Sequence, residues 1–430
     1  TNAATGVVAA QAATGAPPVA LTSDGGLSLV NIAGGVLTAD RLALGLASLD
    51  NAGAIGATAG ANTLNVAGTL ANSGNLVLSA DTAGSGTITA ASLTNSGSLA
   101  SNGALTVNLS TALANSGALQ AVGNLSLIAG SNAAALTNSA AGRIVSGSAL
   151  SISGANTAFS DQSGQVTGQT VAVTLASLAN TGTVVANGNL GLTVSGALAN
   201  SGTIGANATL TLAAGNLDNA SAGQIQSETG GAITVAGLLD DAGRIFLANS
   251  SGNAALTLGS LKVQQGARLV SLGKLALTFA GSAPALDNAG LISAQDDITL
   301  SGTGLALTNR LTGTIQTAPA SPTATGRITL DGSGTALINQ GLVLGNGLDW
   351  SFASLDNPGT IQSRGDLALT YSGAGQNAGT IYAQGGTAAI TAAGFTNLAG
   401  SVFQADKGAT FTLAGDLNNA GTLIGSTDGA

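Results

Sequence analysis

The groups able to do acid–base or ligand chemistry in this 430-residue chain are almost all aspartates, because it contains no histidine and no cysteine. A Ser–His–Asp triad, a histidine metal site and a thiolate site are therefore excluded. The acids recur in two settings. Asp50, Asp218, Asp287 and Asp356 stand in Leu-Asp-Asn, while Asp366 and Asp416 precede a leucine where other copies carry Asn124 or Asn189. The pairs Asp240-Asp241 and Asp296-Asp297 fall on the first and the second setting. Paired carboxylates would suit a glycan-cleaving β-helix enzyme, but acids that keep register with a repeated motif serve turn chemistry. No glycine-rich phosphate loop precedes a helix, and Gly/Asp-rich calcium nonapeptides are absent. The reading is no catalytic residue, no metal and no cofactor. Arg364-Gly365-Asp366 spells a tripeptide that some host receptors recognise in exposed loops. Its Gly and Asp belong to the repeated corner, so only Arg364 is additional.

What must position these residues is a repeat. Leu-x-Asn-x-Gly-x-aliphatic occurs as LDNAGAI at 49–55, LANSGNL at 70–76, LTNSGSL at 93–99 and LANSGAL at 113–119. With Asn as anchor it falls at Asn51, Asn72, Asn95, Asn115, Asn138, Asn180, Asn200, Asn219, Asn288, Asn309, Asn339, Asn357, Asn377, Asn397 and Asn419. Degenerate copies lie at Asp161, at Asp241 and around Gln264, which gives a mean interval of about 21–22 residues. A fixed period of this size marks a solenoid. Leu stands two residues before the anchor except at Phe395 and before Asn377. A second signal, Gly-x-aliphatic, follows at Gly123, Gly188, Gly273 and Gly365 and opens alternating runs such as LSLIA (125–129).

Alternation means strands with every second side chain inside, and no segment has helical periodicity. The repeat thus predicts a parallel β-helix of about 19–20 coils, each of ~21 residues in three short strands, and roughly 90 Å long at ~4.8 Å per coil. Gly and Asn suit the corner because they tolerate unusual backbone angles, including positive φ. Stacked Leu form a dry core, and stacked Asn can hydrogen-bond amide to amide. Residues 1–20 read as an irregular lead-in or the remnant of a preceding coil, and 21–430 as one continuous β-helix. A loop insertion at 317–326 (TAPASPTATG) is marked by Pro319 and Pro322.

Net charge is −9, from 10 basic and 19 acidic residues. That disfavours nucleic acid as a partner, since phosphates need a basic stripe. Polar residues interrupt every apolar stretch, so no spanning helix is expected, and a membrane barrel would show longer strands with aromatic girdles. Residues 1–20 lack the pattern of a signal peptide. Most aromatics follow position 340, and aligning TIYAQ with SVFQA places Tyr382 and Phe403 outward and adjacent, which together with the 364–366 tripeptide reads as a receptor contact for a sugar or a protein. A surface-binding solenoid would show sustained outward Thr columns; only pairs such as Thr87/Thr89 are evident.

Units such as LANSGALQAVGNLSLIAG (113–130) and LDNPGTIQSRGDLALTYSG (355–373) resemble the filamentous haemagglutinin repeats of large exoproteins exported by two-partner secretion, over roughly residues 40–425. The resemblance implies a right-handed parallel β-helix, secreted or on the surface of a Gram-negative bacterium. It implies an outer-membrane secretion pore as export partner. It further implies the role of an adhesin shaft meeting a host or bacterial receptor, protein or glycan, or that of the stick of a contact-dependent growth-inhibition toxin. The Asn-Pro-Asn motif of the amino-terminal secretion domain is not found, so the expectation is an internal shaft segment.

Overall fold

The computed structural model describes residues 1–12, 20–130, 134–318 and 325–425. Every regular element among them is a strand. The chain divides into two compact units, Thr1–Ala213 and Ala214–Ala430, each a parallel β-solenoid.

In the first unit, a coil typically contributes one short strand and one long one; in one coil Leu125–Ala129 and Ala135–Asn138 together take the place of the long strand. The short strands stack in parallel, as Ser98–Ser101 on Ala118–Ala121 and Ala118–Ala121 on Arg143–Ser146. The long strands do the same, as Ser85–Asn95 on Ala104–Asn115, with a register shift between Leu109 and Ala112 that bends the strand into two faces. Alternation puts Leu93, Leu113, Leu136, Phe159 and Leu178 in one buried column, and Leu99, Leu119, Ile144 and Val166 in another. Val7–Ala10 pairs with Val36–Ala39 and Asn2 bridges Asn31, because Asn2-x-x-x-Gly6 repeats the corner Asn31-x-x-x-Gly35. Pro17-Pro18 lies outside the described residues.

In the second unit the long strand persists in Gly231–Asp241 and Ala254–Val263, and from Leu275 onward it becomes two. Leu275–Phe279 stacks on Ile298–Ser301, and Ala285–Asn288 on Ala306–Asn309. Pro319 and Pro322 of the expected insertion lie outside the described residues. At its ends, Thr317 Oγ1 donates to the Gly326 carbonyl at 2.6 Å.

The corner glycines differ from the expectation. Gly74, Gly97, Gly117, Gly182 and Gly202 do not have positive φ. They are required because a Cβ at Gly117 would collide with the Gly97 carbonyl of the coil before, and one at Gly97 with that of Gly74. Positive φ is confined to other positions, such as the longer corners at Gly34 and Gly400.

One irregularity explains itself. At Gly375 the Leu column between Leu355 and Phe395 has no side chain. The ring of Tyr371, stacked on Phe352 at 5.1 Å, fills the space, so that a Cβ on Gly375 would lie 2.5 Å from the Tyr371 hydroxyl. Gly375→Leu is therefore expected to destabilise the chain by about 1–3 kcal/mol through overpacking. Adding Tyr371→Ala should restore most of the loss. Urea unfolding of both variants decides it, and an additive loss in the double variant refutes the compensation.

Candidate functional site

Among the described residues, a column of anchor residues forms a polar line within the core of each unit. Asn51 Nδ2 donates to Asn72 Oδ1 at 2.7 Å, Asn72 to Asn95 at 2.8 Å, Asn95 to Asn115 at 2.8 Å and Asn115 to Asn138 at 2.7 Å. Asn180 donates to Asn200 at 2.8 Å. In the second unit the line runs Asn288, Asn309, Asn339, Asn357, Asn377, Asn397, Asn419, with bonds of 2.7 to 2.9 Å. In each of these bonds the donor lies on the earlier coil. The second amide hydrogen goes to a backbone carbonyl of the following coil, as from Asn357 to Thr380 at 3.1 Å. The column also contains residues the sequence reading missed. Asn2 donates to Asn31 and Asn31 to Asn51, both at 2.8 Å. The signal was there in LVNIAGGVL, with Leu two before Asn31 and Leu37 six after it.

Three rungs depart from the pattern. In FSDQSGQV the rung is Gln162, not Asp161, because the strand shifts register between Phe159 and Gln162. Gln162 accepts from Asn138 at 2.8 Å but turns its own amide to Gly164 and Thr183, leaving Asn180 Oδ1 without a partner among the described residues. At Asp241, one carboxylate oxygen accepts from Asn219 Nδ2 at 2.7 Å and from the Gly243 N–H at 3.1 Å. The other is buried and unpartnered among the described residues, and the next rung is Val263.

The proposed recognition residues are arranged as follows. Arg364 Nη1 donates to Asn346 Oδ1 at 3.2 Å, and Asp366 Oδ1 accepts from the Thr387 N–H and hydroxyl, both at 2.9 Å. Those Thr387 bonds hold the Asp366 carboxyl below its ordinary range. A Cβ on Gly365 would crowd the Asn346 carbonyl. The tripeptide is thus tied into its corner on both sides. Tyr382 faces outward and donates to Asp406 at 3.0 Å. Phe403, in contrast, is inward and fully buried, pairing with Ile381, while Tyr382 pairs with Gln404. The alignment slipped by one residue because the corner Asn397-Leu-Ala-Gly-Ser is two residues longer than Asn377-Ala-Gly. Both spacings to the inward residue, Asn377 to Ile381 and Asn397 to Phe403, are even, so the strand keeps its face.

Other outward features are visible only with the register in hand. Thr234, Thr257, Thr278 and Ser301 are successive neighbours, as are Ser351, Thr370, Thr391 and Thr412, with Asp331 between the runs. Outward hydroxyl columns are therefore sustained, contrary to the sequence reading. Their members bond laterally, as Ser301 to Thr278 at 3.3 Å, and suit exposed strands. Also missed were Arg244, Phe246 and Arg268, which share the outward face of the short strands.

The acids are largely engaged between coils. Asp240 pairs with Lys262, Asp287 with Arg310, Asp297 with Lys274 and Asp349 with Arg327, at 2.5 to 3.4 Å. An open groove of about 440 Å³ passes Ile338, Asp356, Gln376 and Thr396, with Asp356 its only acid. Among the described residues no group of three or more acids, histidines or cysteines is disposed to hold a metal ion.

Asp241 yields a pH test. Burial, outweighing the bonds from Asn219 and Gly243, pushes its pKa up to about 6. A carboxyl that keeps its proton to higher pH when folded lends stability at low pH and loses it as pH rises from about 4 to about 6. Asp241→Asn should remove this loss and raise stability at pH 7.5 by an amount on the order of 2–3 kcal/mol. Urea midpoints of variant and parent should converge toward pH 4. A constant difference across that range would refute the assignment.

Compared with protein-family models, the chain matches the haemagglutinin repeat at residues 3–82, 81–145, 160–243, 352–400 and 396–430, more than half of its length. No curated protein and no solved structure matches it. Repeats of this family are of a structural adhesin type and indicate a secreted or cell-surface protein. By its stacked parallel coils and these matches, the chain belongs to the haemagglutinin repeat family.

Proposed function

We propose that this chain is a shaft segment of a secreted, adhesin-like exoprotein on a Gram-negative surface, exported through an outer-membrane pore by two-partner secretion. The observation that carries the reading is how each coil is used: its inward apolar residues and its corner amide engage the next coil. A chain without cysteine and with 7% charged residues also suits passage through a narrow pore before folding outside. Recognition is assigned to the second unit, where the cross-coil ion pairs, Tyr382 and the 364–366 tripeptide lie. The first unit acts as spacer: residues 82–142 carry no charge.

The test is saturable binding of the labelled, monomeric chain to host epithelial cells and to Gram-negative bacteria in parallel. Binding to one of the two, reduced in Asp366→Glu or Tyr382→Ala, is the expected result. Epithelial binding makes it a host adhesin, bacterial binding a toxin-delivery stick. No saturable binding to either, with the β-sheet circular dichroism intact, overturns the recognition role and leaves a spacer.

A further inference from the structure

We propose that the outward face around Arg244 and Arg268 binds carboxylated sugars of the uronic-acid type; this rests on reading the second unit as the receptor-facing part. Gln224, Arg244 and Arg268 are successive neighbours in one outward column, and Gln226, Phe246 and Val270 in the next. Three coils thus present a patch of two guanidiniums and a phenyl ring, flanked by amides.

Both arginines are exposed, and neither guanidinium has an ion-pair or hydrogen-bond partner among the described residues. The ion pairs described use Lys262, Lys274, Arg310 and Arg327 instead. Like charges placed opposite each other on adjacent strands, ~4.8 Å apart, are destabilising. In a chain of net charge −9 with only 10 basic residues, two stacked cations without acids call for an anion from outside. A guanidinium fork matches a carboxylate in two-point geometry. Phe246 is half-buried and outward, whereas Phe159, Phe279, Phe352, Phe395 and Phe403 are buried in the core. Its exposed face offers an apolar platform for a ring. Beside Arg268 an open groove of about 380 Å³, lined by Gly266, Gly290, Thr312 and Thr314 among others, leaves room for the next sugar. An acidic peptide is less suited. The backbone groups of these strands already bond to the coils on either side, so no edge is open for strand addition.

The experiment is binding of the full chain to immobilised polygalacturonate, with dextran as neutral and poly-L-glutamate as acidic polypeptide control. Saturable binding to polygalacturonate and none to dextran is expected. Arg244→Ser/Arg268→Ser should weaken it about tenfold or more, with Phe246→Ala also weaker. Arg244→Lys/Arg268→Lys should fall between, since an ammonium keeps the charge but not the fork. Circular dichroism checks that each variant is folded. No saturable binding, or binding indifferent to the Arg-to-Ser change, overturns the proposal. Equal binding to polyglutamate with Phe246→Ala silent replaces it with an acidic protein partner. Cell binding without polygalacturonate binding sinks the ligand class alone; polygalacturonate binding without cell binding sinks the receptor role alone.

Discussion

A primary amide that accepts from the coil before it and donates to the coil after it can be repeated at every turn without leaving a polar group unpaired. Asparagine at the inward corner does this, and the rest of each coil is arranged around it. The backbone N–H groups of the two residues that follow return to the preceding anchor's carbonyl, as Ser116 and Gly117 do to Asn95 at 2.8 and 3.0 Å. Side chain and main chain thus fix the same register twice. Each bond is worth only about 0.5–1.5 kcal/mol net, but an orphaned buried amide costs about 1–3 kcal/mol. The corner therefore acts mainly by penalising every other alignment. With the corner fixed, the leucine two residues before it and the aliphatic after the glycine have no freedom to leave the core.

The same logic accounts for a second interruption of the ladder, after the one between Gln162 and Asn180. An acceptor-only side chain can receive from the coil before but has nothing to pass on. Asp241 takes the Asn219 hydrogen, and Val263 on the following coil asks for none. At Asn288, where the line restarts, the vacant acceptor is reached by the Gly290 N–H at 3.2 Å. Asn, Asp, Val, Asn is an order that ends and resumes the ladder with little left unpaired. A carboxylate oxygen is the residue of the exchange, and it is what raises the Asp241 pKa.

Coil, corner and core columns were legible in the sequence because they are written within a few consecutive residues. LxNxG sets the corner, and alternation sets the faces. What could not be read needs the register between coils, and anchor spacing varies from 18 residues (Asn339 to Asn357) to 30 (Asn309 to Asn339). Hence the Thr columns, the Arg244–Arg268 neighbours and the inward Phe403 were invisible or misplaced. The bulge that makes Gln162 a rung was hidden by an aspartate beside it that looked the better turn former. The corner glycines were recognised for the wrong reason. Their constraint is a carbonyl of the preceding coil, which no local sequence reveals.

Because stacking claims the inward positions and the corner, only outward positions are free to vary for recognition, and among those the charges separate into two kinds. Exposed ion pairs such as Lys274–Asp297 add little to stability, and they leave little net charge for a ligand to find. Asp366 and Asp406 are likewise turned toward their own backbone, by Thr387 and Gly385. Arg244 and Arg268 are different in kind: adjacent, exposed, of one sign, and next to the outward-facing Phe246. Folding gains nothing from that juxtaposition, since two coils must hold like charges side by side. On the outward face of these short strands, beside Phe246, two successive coils therefore concentrate like charges whose energetic cost is recovered by a bound anion.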